Sequence, residues 1–251
     1  MKHLDLFSGI GGFALAAQWA GIETVAFCEI DKFCRKVLNK NFPGIPIHDD
    51  IKTLNGADYA GIDIVTGGYP CQPFSIAGKQ RAQADDRHLW PEMFRVITQA
   101  KPTWVVCENV YGHVTLGLDE VLHDLEGGGY TAQSFVVPAL AAGANHRRDR
   151  IFIVAYSTSD GRDESAATSS DEKTDAEWRK EKQDKDRDNE RRGGLRIALE
   201  RVCGSTRGWG TEPPTLRVDD GLPDRMDRCK SLGNAIVPQV AYEILRCIRA
   251  V

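Results

Sequence analysis

The chain has 251 residues, of which 41% are hydrophobic and 27% charged, and its formal net charge is −4. That length suits one large domain, or one domain with a small appended lobe, and the apolar share excludes a wholly disordered chain. The acidic balance excludes a general nucleic-acid coat protein but leaves room for a local basic cleft, because binding depends on where charge sits. No apolar run approaches the roughly 18 residues that span a bilayer, so no membrane segment is expected. Met1-Lys2-His3-Leu4-Asp5 reaches an acidic residue at once and has no signal-peptide core. Seven Cys without CxxC pairs argue against a disulfide scaffold or a zinc ribbon. They predict a reducing compartment, the cytoplasm, and no metal site.

Strand-like and helical patterns alternate through the first 156 residues. Leu4 to Phe7 reads as a strand, Phe13 to Ala20 as a helix, Thr24 to Glu29 as a strand and Lys32 to Asn39 as a helix. Further strands are expected over Ile62–Thr66, Trp104–Cys107, Ser134–Val137 and Ile151–Tyr156. Pro91–Ala100 and Leu118–Leu125 fill helical slots between them. Such alternation predicts an α/β fold with a doubly wound, mostly parallel sheet. The pattern then stops. Ser157 to Arg192 holds 12 acidic and 9 basic side chains, with Trp178 as its only aromatic. A segment so poor in apolar surface cannot offset its chain entropy and is expected to be a solvated loop or a lone charged helix. A thin region containing Gly and Pro follows to about Asp224. One final helix is expected over Ala235–Arg249, with Ile236, Val240, Ile244, Leu245 and Ile248 on one face, packed back on the first sheet.

Two loops carry chemistry. Asp5-Leu6-Phe7-Ser8-Gly9-Ile10-Gly11-Gly12 joins the first strand to the first helix. Its glycines allow a sharp turn and close approach of backbone to ligand, or are simply a tight connection. Glu29 ends the second strand, where a carboxylate can bond both hydroxyls of a ribose. Asp50 follows the third short strand and can meet an adenine amino group. The spacing is not GxGxxG, which favours a mononucleoside over a dinucleotide. The second loop, Gly67-Gly68-Tyr69-Pro70-Cys71-Gln72, follows a strand at the end where open α/β sheets bind ligands. Cys71 there is either a structural thiol or a nucleophile. Glu108-Asn109-Val110 follows the next strand, Trp104–Cys107, whose end is expected beside it. Arg148 and Arg150 flank Asp149, so on an extended chain both point the same way. They are either a salt-bridged surface or part of the same site.

In this order the residues closely resemble the DNA cytosine-5 methyltransferase family. The glycine turn resembles its first cofactor motif, and Glu29 and Asp50-Ile51 its second and third. Pro70-Cys71-Gln72 is similar to its nucleophile motif, Glu108-Asn109-Val110 to the next, and Arg148 and Arg150 to its paired arginines. Gly233-Asn234-Ala235-Ile236-Val237-Pro238-Gln239 resembles its last motif, in which the Asn meets the cofactor. The resemblance covers roughly residues 1–156 and 222–251. It implies a Rossmann-like methyltransferase fold with a catalytic and cofactor-binding domain over 1–156 and a reduced, partly irregular recognition region over 157–221. A C-terminal segment, 222–251, would return to the first domain.

The implied activity is methyl transfer from S-adenosyl-L-methionine to carbon 5 of cytosine in duplex DNA, by a monomer without metal. Cys71 would add to carbon 6 of a flipped-out base, since sulfur is nucleophilic near neutral pH and can leave again. Positive charge at Arg148 would favour its thiolate. Glu108 would hydrogen-bond or protonate N3, and Arg148 and Arg150 would hold the base carbonyl. The implied cofactor contacts are Phe7, Ser8, Gly9, Gly11, Glu29, Ile30, Asp50, Ile51, Pro70, Leu89, Asn234 and Ala235. Ser75, Lys79, Gln80 and Arg81 would form a mobile loop over DNA phosphates, a positioning role. Arg207, Trp209 and Arg217 are further candidate DNA contacts. The sequence departs from the family at His146, where Gln is usual, and shows no evident ninth motif. A tRNA cytosine-5 methyltransferase on the same fold, or a catalytically impaired DNA-binding homologue, are the alternatives. The Pro-Cys-Gln triplet favours DNA.

Overall fold

The computed structural model describes residues 1–70, 89–115, 117–158 and 225–250. Seven strands form one sheet: β1 (Lys2–Leu6), β2 (Glu23–Cys28), β3 (Ile47–His48), β4 (Ile64–Gly67), β5 (Trp104–Val110), β6 (Tyr130–Pro138) and β7 (Asp149–Ser157). Their order is β3-β2-β1-β4-β5-β7-β6. The first five are parallel, whereas β7 runs antiparallel to β5 and to β6. The carboxyl ends of β1, β2, β4 and β5 therefore share one edge with the start of β7. Ligands bind at that edge in open α/β sheets.

Buried side chains alternate along the central strands, as a sheet covered on both faces requires. Leu4, Leu6, Val65, Val105, Cys107, Ile151 and Ile153 face α3 (Trp90–Ala100) and α4 (Leu118–Gly127), packing with Trp90, Met93, Ile97 and Leu125. Ile64, Val106, Phe152 and Val154 face the other way. They meet Phe13 and Ala16 of α1 (Gly12–Trp19) and Val240, Ile244, Leu245 and Ile248 of α6 (Pro238–Ala250). Leu38 of α2 (Lys32–Asn41) closes a corner against Ala14 and Phe27. Asp31 caps α2, its Oδ1 accepting from the N–H groups of Phe33 (2.8 Å) and Cys34 (3.2 Å), a contact typically worth about 1 kcal/mol.

Four local expectations are corrected. The final helix predicted over Ala235–Arg249 starts only at Pro238, as α6, and an unpredicted helix, α5 (Arg225–Asn234), precedes it across Ala235-Ile236-Val237. Pro238 supplies no N–H and restricts the residue before it, so the break falls there. Glu108 lies inside β5, opposite Phe152 of β7, and not beyond the strand. Arg148 precedes β7 with φ +35°, so the premise of an extended backbone shared with Arg150 fails. Ser157 still belongs to β7, and the Thr158 N–H donates to the Gly129 carbonyl at 3.0 Å, so the charged segment starts later than predicted. The rest of that segment and of the recognition region up to residue 224 lies outside the described residues. Among the described residues no helix is long and apolar enough to cross a membrane.

Candidate active site

The β1–α1 turn is built on left-handed backbone at Phe7 (φ +52°), Gly9 (φ +54°) and Gly11 (φ +91°). Gly9 and Gly11 adopt such angles without a Cβ penalty; Phe7 adopts one at a cost. A Cβ on Gly9 would meet nothing within 4 Å, so the backbone there borders open space. Glu29 fastens the turn. Its Oε2 accepts from the Gly9 N–H at 2.6 Å and its Oε1 from the Asp31 N–H at 2.8 Å. Each oxygen keeps acceptor capacity for a further donor. Ser8 points inward, its Oγ donating to the Asp5 carbonyl at 2.6 Å.

Beneath the turn lies a buried polar chain. His3 Nδ1 meets Thr24 Oγ1 at 2.9 Å and His3 Nε2 meets Thr66 Oγ1 at 2.8 Å. Thr66 in turn donates to Asp5 Oδ1 at 3.0 Å. Burial pushes the Asp5 carboxyl up to about 8 and His3 down to about 3. Both are thus neutral near pH 7, as groups without access to water should be.

A cleft of about 570 Å³ opens beside the turn. Ten of the twelve residues predicted to touch cofactor line it: Phe7, Gly9, Glu29, Ile30, Asp50, Ile51, Pro70, Leu89, Asn234 and Ala235. Ser8 and Gly11 do not; they shape the turn from behind. Sequence reasoning missed Asp31, Cys34, Lys52, Lys230 and Ser231, which also line the cleft. Four of them join α5 to α2 and its cap, through Lys230 Nζ to Asp31 Oδ2 at 3.5 Å and Cys34 Sγ to Ser231 Oγ at 3.5 Å. Lys230 and Ser231 stand one residue, Leu232, before the Gly-Asn-Ala motif, a proximity that could have flagged them. Cys28 also lines the cleft, with its thiol pushed up to about 12 by burial, so it is no nucleophile at neutral pH.

At the edge of the sheet the β4 loop meets β5. The Asn109 side-chain amide donates to the Tyr69 carbonyl at 3.2 Å. A Cβ on Gly68 would stand 3.3 Å from Glu108 Oε2, so glycine lets the carboxylate reach the loop. Arg150 Nε pairs with Glu108 Oε1 at 3.0 Å. The pairing follows from register: Arg150 lies opposite Val110, diagonal to Glu108 on the same face. Burial nonetheless raises the Glu108 carboxyl to about 6, against the opposing pull of Arg150 and Arg148. Arg148 turns elsewhere, its Nη2 donating to the carbonyls of Gly233 (2.7 Å) and Ala235 (2.8 Å). His146 is exposed. The predicted nucleophile Cys71, the DNA contacts Ser75, Lys79, Gln80 and Arg81, and Arg207, Trp209 and Arg217 lie outside the described residues. Among the described residues no group of three or more His, Cys, Asp or Glu is arranged to hold a metal ion.

Residues 1–200 match the family model for the C-5 cytosine-specific DNA methylase. Type II methyltransferase M2.BsuMI of Bacillus subtilis (strain 168) is 35% identical over 175 residues, covering 65% of this chain and 44% of that protein. Type II methyltransferase M.HhaI of Haemophilus parahaemolyticus is 34% identical over 164 residues, covering 62% of this chain and 49% of that one. The chain spans about half the length, or less, of the curated relatives it matches. Among solved structures, a prophage-encoded E. coli protein described as a DNA modification methyltransferase superposes with TM-score 0.55 at 28% identity, covering 62% of this chain and 47% of that one. A DNMT2 variant of Spodoptera frugiperda shares the fold, with TM-score 0.55 at 24% identity, covering 67% of this chain and 53% of that one.

Proposed function

The chain belongs to the C-5 cytosine-specific DNA methylases, and from that premise we propose that it transfers a methyl group from S-adenosyl-L-methionine to carbon 5 of cytosine in duplex DNA. One observation carries the reading: a buried carboxyl, Glu108, raised to about 6 and oriented by Arg150, stands beside the loop that leads out of a nucleoside-sized cleft. A carboxyl raised towards neutrality takes up a proton more readily than an ordinary one and can donate it to N3 of a pyrimidine as charge develops there.

The cleft residues fit the cofactor. Ile30 is 71% exposed although it lines the cleft, an apolar surface that an adenine face would cover. Phe7, Ile51, Leu89 and Pro70 add apolar wall, and Glu29 and Asp50 supply acceptors for hydroxyl and amino groups. When bound, the cofactor supplies an electrophilic methyl group. The chain's own residues do the rest. Cys71 follows Pro70 directly, and its thiolate would form a bond to carbon 6 of the flipped base. The ring electrons this releases make carbon 5 nucleophilic, with Glu108 holding a proton at N3 and Arg150 holding Glu108. After transfer, loss of the carbon 5 proton and of the Cys71 sulfur restores aromaticity. Ser75, Lys79, Gln80 and Arg81 would face the phosphates. The cysteine pattern supports action in the cytoplasm, and a cleft built within one chain supports a monomer.

The test is incorporation of tritiated methyl from S-adenosylmethionine, run side by side on mixed-sequence duplex DNA and on tRNA. Label in duplex cytosine that disappears in Cys71→Ser supports the reading. Label in tRNA alone moves the substrate to RNA, and no label in either polymer overturns methyl transfer.

A further inference from the structure

We propose that Arg148 is a positioning residue for the cofactor cleft: its guanidinium fixes the backbone on both sides of Asn234. The inference rests on reading the cleft as the S-adenosylmethionine site. A single nitrogen of Arg148 donates to the carbonyls of Gly233 and Ala235, at 2.7 and 2.8 Å. These are the carbonyls immediately before and after Asn234, which lines the cleft with Ala235.

Asn234 is the last residue of α5, and the final carbonyls of a helix have no partner within the helix. A cation there satisfies them and complements the negative end of the helix dipole. The backbone of Arg148 is itself committed to this contact. It adopts φ +35°, a conformation unusual for a side chain of this size, and this turns the side chain away from the path Arg150 follows to Glu108. Among the described residues, Arg148 is the side chain that hydrogen-bonds to the backbone of residues 233–237. The remaining fasteners lie at the flanks: Lys230 on Asp31, and Ile236 against Gly12, where a Cβ would come within 2.3 Å of Ile236 Cγ2. Arg148 also feels the charge of Glu108 and of Arg150. Fixing the backbone around Asn234 gives Arg148 a task other than holding the base carbonyl.

The test is calorimetric titration of the chain with S-adenosylmethionine, without DNA. Arg148→Met should weaken binding about tenfold, the scale expected for lost charge-assisted hydrogen bonds. Arg148→Lys, which keeps charge and donors, should recover most of that loss. Arg147→Met removes the same charge one residue away, from an exposed side chain, and should stay within about twofold. The decisive comparison is with Asn234→Ala. If Arg148 acts through Asn234, Arg148→Met should cost nothing further in the Asn234→Ala background. A general structural defect would instead multiply the two losses. Full multiplication, or parent-like affinity in Arg148→Met, overturns the proposal. If Arg148→Met does not fold by circular dichroism, Arg148→Gln makes the same comparison. A parent chain that binds no S-adenosylmethionine overturns the reading of the cleft itself, which separates that failure from this one.

Discussion

Glu108 and Asp5 are both carboxyls raised by burial, yet they answer to pH in different ways. Glu108 borders the reaction edge and titrates at about 6, so its protonated form thins out as pH rises past that value. The kcat/KM for DNA should then carry a falling limb above about pH 6, and Glu108→Gln, which cannot ionise, should lose that limb along with most of the rate. A pH–rate profile that keeps the same limb in Glu108→Gln would assign it to another group. Asp5 touches no solvent, and its effect is on stability. Its folded-state value of about 8 lies above the ordinary 3.8, so the folded chain binds the proton more tightly than the unfolded one. The stabilisation is whole below about pH 4 and is lost as pH rises towards 8. Asp5→Asn should flatten the stability curve across that window, checked by urea unfolding at pH 5 and pH 8. An unchanged slope would mean that Asp5 stays ionised. Glu108 was legible in the sequence as part of Glu108-Asn109-Val110. The neutral chain through His3, Thr66 and Asp5 was not, because its members stand 61 and 63 positions apart and meet only once β1 and β4 pair.

Helix ends decide the shape of the cleft. The β1–α1 turn could be read from its glycines, since no other residue takes the angles at Gly9 and Gly11 so cheaply. The division between α5 and α6 could not, because Ile236 continues an apolar helical spacing that in fact serves a break. Its side chain lies over the start of α1, in the space a Cβ on Gly12 would fill. Gly12→Ala should therefore push the 235–237 segment away from α1. We expect a loss of about 1–3 kcal/mol in unfolding free energy, the range for overpacking. Cofactor affinity should fall with it, because Asn234 and Ala235 line the cleft. Denaturant unfolding and calorimetry on the same preparation check both halves. A gain in stability, as a simple Gly-to-Ala change in a helix would give, counts against the close packing.

At the scale of the whole molecule, the alternation of strands and helices announced the sheet but not its far edge. Period-two burial carries no information on strand direction. The clue lay in length: only residues 139–148 separate β6 from β7, too few for the crossover of a dozen or more residues that parallel neighbours need. The antiparallel β7 matters because it brings Arg150 to the reaction edge. The other long-range closure is that of the C-terminal helix. Val240, Ile244, Leu245 and Ile248 of α6 complete one face of the core against Phe13, Ala16 and Ala17 of α1. Two distant parts of the chain thus form a single layer, and α1 begins at the glycine turn, so the cleft depends on that layer staying packed. Ile244 is fully buried in it, whereas Leu232 of α5 is 57% exposed. Ile244→Ala should cost about 2–5 kcal/mol, as large-to-small core substitutions do, and Leu232→Ala no more than about 0.5 kcal/mol. With about 2–4 °C per kcal/mol for a domain of this size, the first should lower Tm by roughly 4–20 °C and the second by about 2 °C at most. Calorimetric scans of the two variants beside the parent measure both. If Ile244→Ala melts within about 1 kcal/mol of the parent, α6 is not part of the cooperative unit, and the cleft cannot owe its shape to the closure of the chain.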